Sequence, residues 1–463
     1  MTRIFALHSA YGLATVVAAI DEGLLEPHPG KVGRDGAGGD RVLVPFVSAR
    51  VPELVTGIAA DPALAALRTR FDRIEDLDAL LGPLHPSGWE PEPADLPLLE
   101  RLFTRAWNLD ADDLELFVQS PQVAPARTLM SLFPRAKITI VGDGLMTYSP
   151  MRVPLDHAVR SRIIRVLHAD VVPGVAPLSG GPVAASVPVP VAAFGRVLDE
   201  TDLGEPLLDT AGHPLDDGAP TAIVLGQYLS AIGLLTPREE IALQRELIDR
   251  AAGAGPARII FKPHPAAPPL QTDAVRERAL SHGVEFAVYR GPLAAEQLAR
   301  RVDARAVVAA FSTALPTVHA LRGTTIASAG ASMLLRRLRP YENSNRVPLA
   351  IVDALTREDS PYVDPARLQL LVDAVGYAMQ PEIAGHLRER AELLLRDLPP
   401  AERERYFSPE RLRDLRLPGA PAESAARRML RSAGGTGRME ELRLTAIGAR
   451  RRAGRAWRVI RGR

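Results

Sequence analysis

Apolar residues along this chain come in short, near-continuous runs, with stretches of helical spacing between them. Such runs, bounded by turn formers, read as strands buried on both faces, the kind that parallel sheets contain. In the first half RIFAL, RVLVPFV, LELFVQS and KITIVGDG fit that description. Helical spacing predicts helices over Gly12–Asp21, Pro52–Ala60 and Pro121–Phe133, the last with its proline in the first turn. The stretch LFVQS–PQVAPARTLMSLF–PRAKITIVGDG is then a βαβ unit, and ADVVPGVAPLS is a further candidate strand.

The proline-spaced segment VPVPVAAFGRVLDETDLGEP reads as a linker. After it a second series begins: TAIVLGQYLS, a helix over Pro237–Ala252, ARIIFKPHP, VEFAVYRG, a helix over Pro292–Val302, AVVAAFST and TTIASAG. Alternation of this kind predicts an α/β chain with parallel sheets and helical crossovers. Two series joined by a linker predict two Rossmann-like domains facing across a cleft, over residues 1–200 and 201–400, followed by a tail over 401–463.

Length agrees, because 463 residues exceed what one hydrophobic core usually serves. Apolar residues make up 46% and charged residues 24%, a globular composition. The absence of cysteine excludes disulfides and thiolate metal sites and suits a reducing compartment. Heavy use of Ala, Arg and Pro has the look of bacterial high-GC coding. The N-terminal MTRIFALHSAYGLATVVAAIDEG imitates a signal peptide weakly; a strand, a polar turn and a helix fit it better. The uncharged stretch from Val171 to Gly195 is broken by five prolines, so no spanning helix can be built from it. A soluble or peripheral protein on the cytoplasmic side of the cell membrane is the expectation.

The net charge of +1 hides an asymmetry. From Pro421 onward there are twelve Arg against three Glu, so the remainder carries −8. In LTAIGARRRAGRAWRVIRGR the apolar residues Leu444, Ile447, Ala453, Trp457 and Ile460 are interspersed with Arg, and Ala453, Trp457 and Ile460 fall near one side of a helix. That pattern reads as a binder of anionic membrane surfaces, and a solvated tail is the alternative that Gly448 and Gly454 favour. With the basic residues confined to the tail, nucleic acid is not an expected partner.

Three strand tips could carry chemistry. Lys262-Pro263-His264-Pro265 ends an apolar run with two cations, and the flanking prolines restrict the pose of the imidazole. Ser312-Thr313 follow another buried run and precede a helix that starts near Ala314, where hydroxyls and free N–H groups bind anions. Taken alone, simple capping of that helix explains them better. Asp143 stands between Gly142 and Gly144 at a strand end in the other half, where glycines permit a tight turn and close approach of a ligand. An isolated carboxylate in one half suits a general base. A His, a Lys and paired hydroxyls in the other half suit a leaving phosphate.

In that order the three motifs resemble those of the bacterial sialyltransferases, including the polysialyltransferases of capsule synthesis. These proteins share an acidic-acidic-Gly motif, a His-Pro motif and a Ser-Ser/Thr motif, seen here as Gly142-Asp143-Gly144, His264-Pro265 and Ser312-Thr313. The resemblance spans most of residues 1–400. It implies a GT-B fold, a CMP-activated 2-keto sugar acid as donor, inversion at the anomeric carbon, a glycan acceptor, and neither metal nor cofactor. Asp143 would then be the base and His264 the partner of the departing phosphate, which Ser312 and Thr313 bind with Lys262 nearby. Gly226, Gln227, Pro265 and Glu296 would approach the nucleotide or its sugar, and His8, Ser9, Tyr11 and Gly144 would line the acceptor side. Gly142 departs from the family pattern, so the first carboxylate is missing. No DxD or His/Asp cluster is visible, which fits a leaving group with a single phosphate.

Two other readings stand beside this one. Glycerol- or ribitol-phosphate transferases of teichoic acid synthesis also pair a His-Pro motif with a later Ser-rich turn, and would need His8 as base. A non-catalytic glycan-binding protein of the same fold would be indifferent to loss of the Asp143 carboxylate.

Overall fold

Both expected sheets are present in the computed structural model, which describes residues 1–26, 40–48, 56–264, 267 and 269–421. The first sheet contains β1 (Thr2–Leu7), β2 (Arg41–Pro45), β3 (Arg73–Ile74), β4 (Leu114–Val118), β5 (Lys137–Val141), β6 (Ile163–Ala169) and β7 (Ala185–Val189). Its strands are all parallel, in the order β3-β2-β1-β4-β5-β6-β7. The second contains β8 (Thr221–Leu225), β9 (Arg258–Lys262), β10 (Glu285–Val288), β11 (Ala306–Val308) and β12 (Thr325–Ala327). It is parallel too, in the order β10-β9-β8-β11-β12. Strand order reverses between β1 and β4 and again between β8 and β11, and in open α/β sheets ligands bind outside the carboxyl ends at such points. Two Rossmann-type sheets in one chain are the GT-B architecture.

The central strands are sealed on both faces, which is why they read as unbroken apolar runs: Ile4, Phe5, Ala6 and Leu7 of β1 and Ile259 and Ile260 of β9 are inaccessible to solvent. Helices cover the faces. Those that position the site are α1 (Ala10–Asp21), α2 (Ala126–Leu132), α3 (Val191–Asp199), α4 (Pro237–Ala252), α5 (Ala295–Arg301) and α6 (Ala314–Arg322). The expected helix over Pro237–Ala252 matches α4 at both ends, fixed by a capping box between Thr236 and Glu239.

Several expectations fail at proline. The expected helix from Pro121 begins only at Ala126. A helix started at Pro121 would need an N–H from Pro125, which has none. The proposed linker instead forms β7 and α3. Among the described residues β7 is an edge strand paired with β6 alone, and an edge is where a sheet tolerates a proline such as Pro188. ADVVPGVAPLS is not a strand but a turn, with Gly174 at φ +79°. Of the expected Pro52–Ala60 helix, residues 52–55 lie outside the described residues and 56–60 form a loop and a turn.

Beyond β12 the chain is helical, which the apolar pattern did not announce. Here α7 (Arg346–Thr356) is buried along most of its length, and α8 (Pro365–Met379) returns toward the first half. Gln369 Oε1 accepts from Ala176 N at 2.5 Å, Gln380 Nε2 donates to Arg152 O at 3.1 Å, and Ser149 Oγ donates to Ser344 O at 2.6 Å. Residues Met1–Ser408 form one compact unit. The second unit begins at Pro409; its described part holds a helix over Pro409–Asp414, and the basic stretch from residue 422 lies outside the described residues. Among the described residues no helix is long and apolar enough to cross a membrane.

Candidate active site

The carboxyl ends of β1, β4 and β5 deliver the first half's polar groups. After β1, Ser9 caps α1, its Oγ accepting from Gly12 N at 3.0 Å. After β5, Gly142 and Asp143 turn the chain into a 3-10 segment over Gly144–Tyr148, and Asp143 N donates to Thr147 Oγ1 at 2.8 Å. The Asp143 carboxylate is half-buried and accepts from Ser9 Oγ at 3.3 Å. His8 stands beside them, its Nε2 3.0 Å from Ser120 Oγ and its Nδ1 3.2 Å from Ser48 Oγ. Burial lowers the His8 pKa, against the pull of the Asp143 charge. The imidazole is therefore neutral near pH 7.

Gly142 has a physical reason. A Cβ at this position would lie 2.7 Å from Thr147 Oγ1 and 3.0 Å from His168 Cβ. His168 is buried, with Nε2 2.9 Å from Ser186 Oγ, and burial pushes its pKa down to about 4. A second carboxylate has no room in this turn.

In the second half, β8 and β9 bring Gly226 against Pro263. A Cβ on Gly226 would lie 2.9 Å from Phe261 Cζ and 3.1 Å from Pro263 Cα, so the glycine allows the close approach. Gln227 spends its side chain on the main chain of Phe311: Oε1 accepts from Phe311 N at 2.9 Å, and Nε2 donates to Phe311 O. This clamp fixes the turn that presents Ser312 and Thr313 at the start of α6. Ser312 Oγ accepts from Ala314 N at 3.2 Å. At β9, Lys262 Nζ donates to Gly291 O at 3.0 Å and lies 4.9 Å from the Tyr289 ring centroid. Burial lowers its pKa, partly offset by Glu296. Glu296, at the start of α5, is shifted the other way, because burial raises its pKa and Lys262 opposes the rise. His264 is exposed, its ring 6.4 Å from that of Tyr228. Pro265 lies outside the described residues.

The two halves meet at the motifs themselves. Leu145 N donates to Thr313 Oγ1 at 3.2 Å. Gly144 has φ +58°, and a Cβ there would lie 2.5 Å from both Thr313 Oγ1 and Thr313 Cγ2. Thr313 therefore packs directly on the residue that follows Asp143. Burial raises the Tyr11 pKa well above the ordinary phenol value, with Glu296 of the second half and Tyr148 and Asp143 of the first adding to the rise. Tyr11 and Glu296 line a cavity of 430 Å³ with Tyr289 and Leu293. Asp143 lines another, of 380 Å³, together with Ser120, Met146, Arg152 and Ser344.

The sequence model of the alpha-2,8-polysialyltransferase family matches residues 3–331. The chain belongs to that family. Solved structures similar to it include a Photobacterium damselae sialyltransferase GT-B domain, at 11% identity and TM-score 0.33, covering 76% of this chain and 96% of that one. A Neisseria meningitidis UDP-GlcNAc 2-epimerase bound to UDP-GlcNAc matches at 9% identity and TM-score 0.40, covering 84% and 93%. A Rickettsia africae glycosyltransferase matches at 9% and 0.34, with the same coverages. No curated protein matches the chain.

This member of the alpha-2,8-polysialyltransferase family is thus a sialyl-type glycosyltransferase, and its two sheets meet where Gly144 of one half packs on Thr313 of the other. Sequence reasoning missed the residues that hold them there. The apolar pattern does not single out Gln119 or Thr147 and gives Gln227 to the nucleotide, although Gln119-Ser120 ends an apolar run just as His8-Ser9 does. Replacing Gln227 by Ala would leave the Phe311 N–H and C=O unpaired, at a cost of about 1–3 kcal/mol. Urea denaturation should register that loss, and the donor KM should rise as Ser312 and Thr313 lose their fixed position. Unchanged stability and KM would mean that the clamp is dispensable.

Proposed function

We propose that the chain transfers a CMP-activated 2-keto sugar acid of the sialic acid, Kdn or Kdo type to a glycan hydroxyl, with inversion and without a metal. The contact of Thr313 with Gly144 carries this reading, because it sets the phosphate-binding hydroxyls against the turn that bears the acid. Asp143 takes the proton of the acceptor hydroxyl, whose oxygen forms a bond to the anomeric carbon. The bond from that carbon to the CMP phosphate oxygen breaks, and its electron pair leaves with CMP. Ser312, Thr313 and the α6 N–H groups receive the phosphate, with Lys262 lending charge and His264 donating a hydrogen bond or a proton. One phosphate leaves, so no pyrophosphate has to be gathered by a cation.

The cavity beside Glu296 and Tyr11 suits the nucleoside, with Glu296 hydrogen-bonding the ribose. The cavity at Asp143 suits the acceptor, and the Arg152 guanidinium on its wall suits an acidic sugar there. Such an acceptor fits the elongation of a polymeric cell-surface or capsule glycan made at the cytoplasmic face, where the basic tail would hold the enzyme to anionic lipid. Release of CMP tests the proposal. CMP-sialic acid, its deaminated analogue or CMP-Kdo should yield CMP in the presence of an oligosaccharide acceptor, and CDP-glycerol should not. Turnover of CDP-glycerol alone would favour the teichoic acid reading. Glycan binding without turnover of any donor would favour the non-catalytic one.

A further inference from the structure

Asp143 does not stand free in its turn. Its Oδ1 accepts from Ser9 Oγ at 3.3 Å, and that hydroxyl has further partners: Gly12 N donates to it at 3.0 Å and Gln119 Nε2 donates to it at 2.9 Å. A serine hydroxyl has one proton and two lone pairs. With both lone pairs taken by N–H donors, the proton has only Asp143 to go to. Gln119 enforces this direction. It is inaccessible to solvent, and its Oε1 accepts from His8 N at 2.9 Å and Ser9 N at 3.2 Å. Only an oxygen can accept from two N–H groups, so the amide is locked with its nitrogen toward Ser9. Gly12 completes the arrangement by leaving space: a Cβ there would sit 2.2 Å from Gln119 Nε2.

We propose that Ser9 and Gln119 are positioning residues for the transfer reaction. Ser9 donates to one oxygen of Asp143, Gln119 fixes the direction of that hydroxyl, and the other oxygen, Oδ2, is left to take the acceptor proton; among the described residues Oδ2 has no hydrogen bond. The inference rests on the reading of Asp143 as the base. It adds that the β1 and β4 tips set the orientation of that base, so the device is assembled entirely within the first sheet.

The test uses the full chain with Ser9→Gly, Ser9→Thr and Gln119→Glu. Glycine removes the hydroxyl yet remains an acceptable helix N-cap, so Ser9→Gly should fold. Gln119→Glu replaces the donating nitrogen by an acceptor and should turn the Ser9 proton away from Asp143. With CMP-sialic acid and an oligosialic acid acceptor, Ser9→Gly and Gln119→Glu should lower kcat by about ten- to a hundredfold, with the donor KM within about twofold. Ser9→Thr keeps the hydroxyl and should restore most of the loss. In crystals of Ser9→Gly the Asp143 carboxylate should leave its position while the β1–α1 backbone stays in place. That measurement decides the matter even if Gln119→Glu does not fold or the probe pair is not turned over.

An unmoved carboxylate, a wild-type kcat in Ser9→Gly, or a Ser9→Thr no better than Ser9→Gly would overturn the proposal. Asp143→Asn separates the two layers. If it is inactive while Ser9→Gly is normal, only the positioning role falls. If it is active, the base assignment falls and the positioning role falls with it.

Discussion

Asp143→Asn should reduce turnover by about a thousandfold or more while leaving donor affinity nearly unchanged. The amide is the same size, and its oxygen can still accept from Ser9 Oγ, so the turn after β5 should keep its shape. What is lost is the capacity to take a proton from the acceptor hydroxyl as its oxygen attacks. Single-turnover CMP release, measured alongside equilibrium binding of the donor, separates the two effects. Turnover within tenfold of wild type would remove Asp143 as the base. His8 would then be the next group to test, since burial keeps it neutral and it borders the same carboxylate.

Gly144→Ala should also be damaging, for a different reason. An L residue at φ +58° costs about 1–2 kcal/mol in itself. The larger effect is steric, because the new Cβ would press on Thr313 at 2.5 Å, and Thr313 sits at the start of α6 on a turn held by Gln227. The two halves would have to part at the point where the proposed base and phosphate site adjoin. Misplacement on the order of 1 Å costs about a hundredfold in rate. Steady-state kinetics should show kcat falling by that order, with a smaller rise in the donor KM. Wild-type kinetics would mean that this contact does not set the catalytic geometry.

Strand tips were legible because each ends an apolar run in residues that a buried strand would not hold. Lys262, Asp143 and Ser312 were all found that way, and α6 starts at Ala314 where it was expected. Supporting residues were harder to see. Gln119 reads as the last residue of a strand, and only the register of β4 beside β1 brings its amide to Ser9. Gln227 looks like a ligand contact until its amide is found on Phe311. Helix α7 was missed because its flanks are covered: Arg346 and Asp353 are buried along with Leu349 and Ile351, so no polar stripe marks it. Arg346 escapes notice because it is satisfied locally, donating to the carbonyl oxygens of Leu335, Leu338 and Tyr341. Proline misled in the opposite direction, suggesting coil where β7 lies at a sheet edge.

The way α8 runs back over the first half has a consequence for engineering donor choice. A chimera that exchanged everything after residue 200 between relatives would part Ser344, Gln369 and Gln380 from the Ser149 hydroxyl and from the backbone positions at Ala176 and Arg152 that they fit. Recombination that exchanges only β8 through β12 and retains the recipient's own returning helix keeps those clasps intact, and would make the portion that the proposed reading gives to the nucleotide a portable cassette.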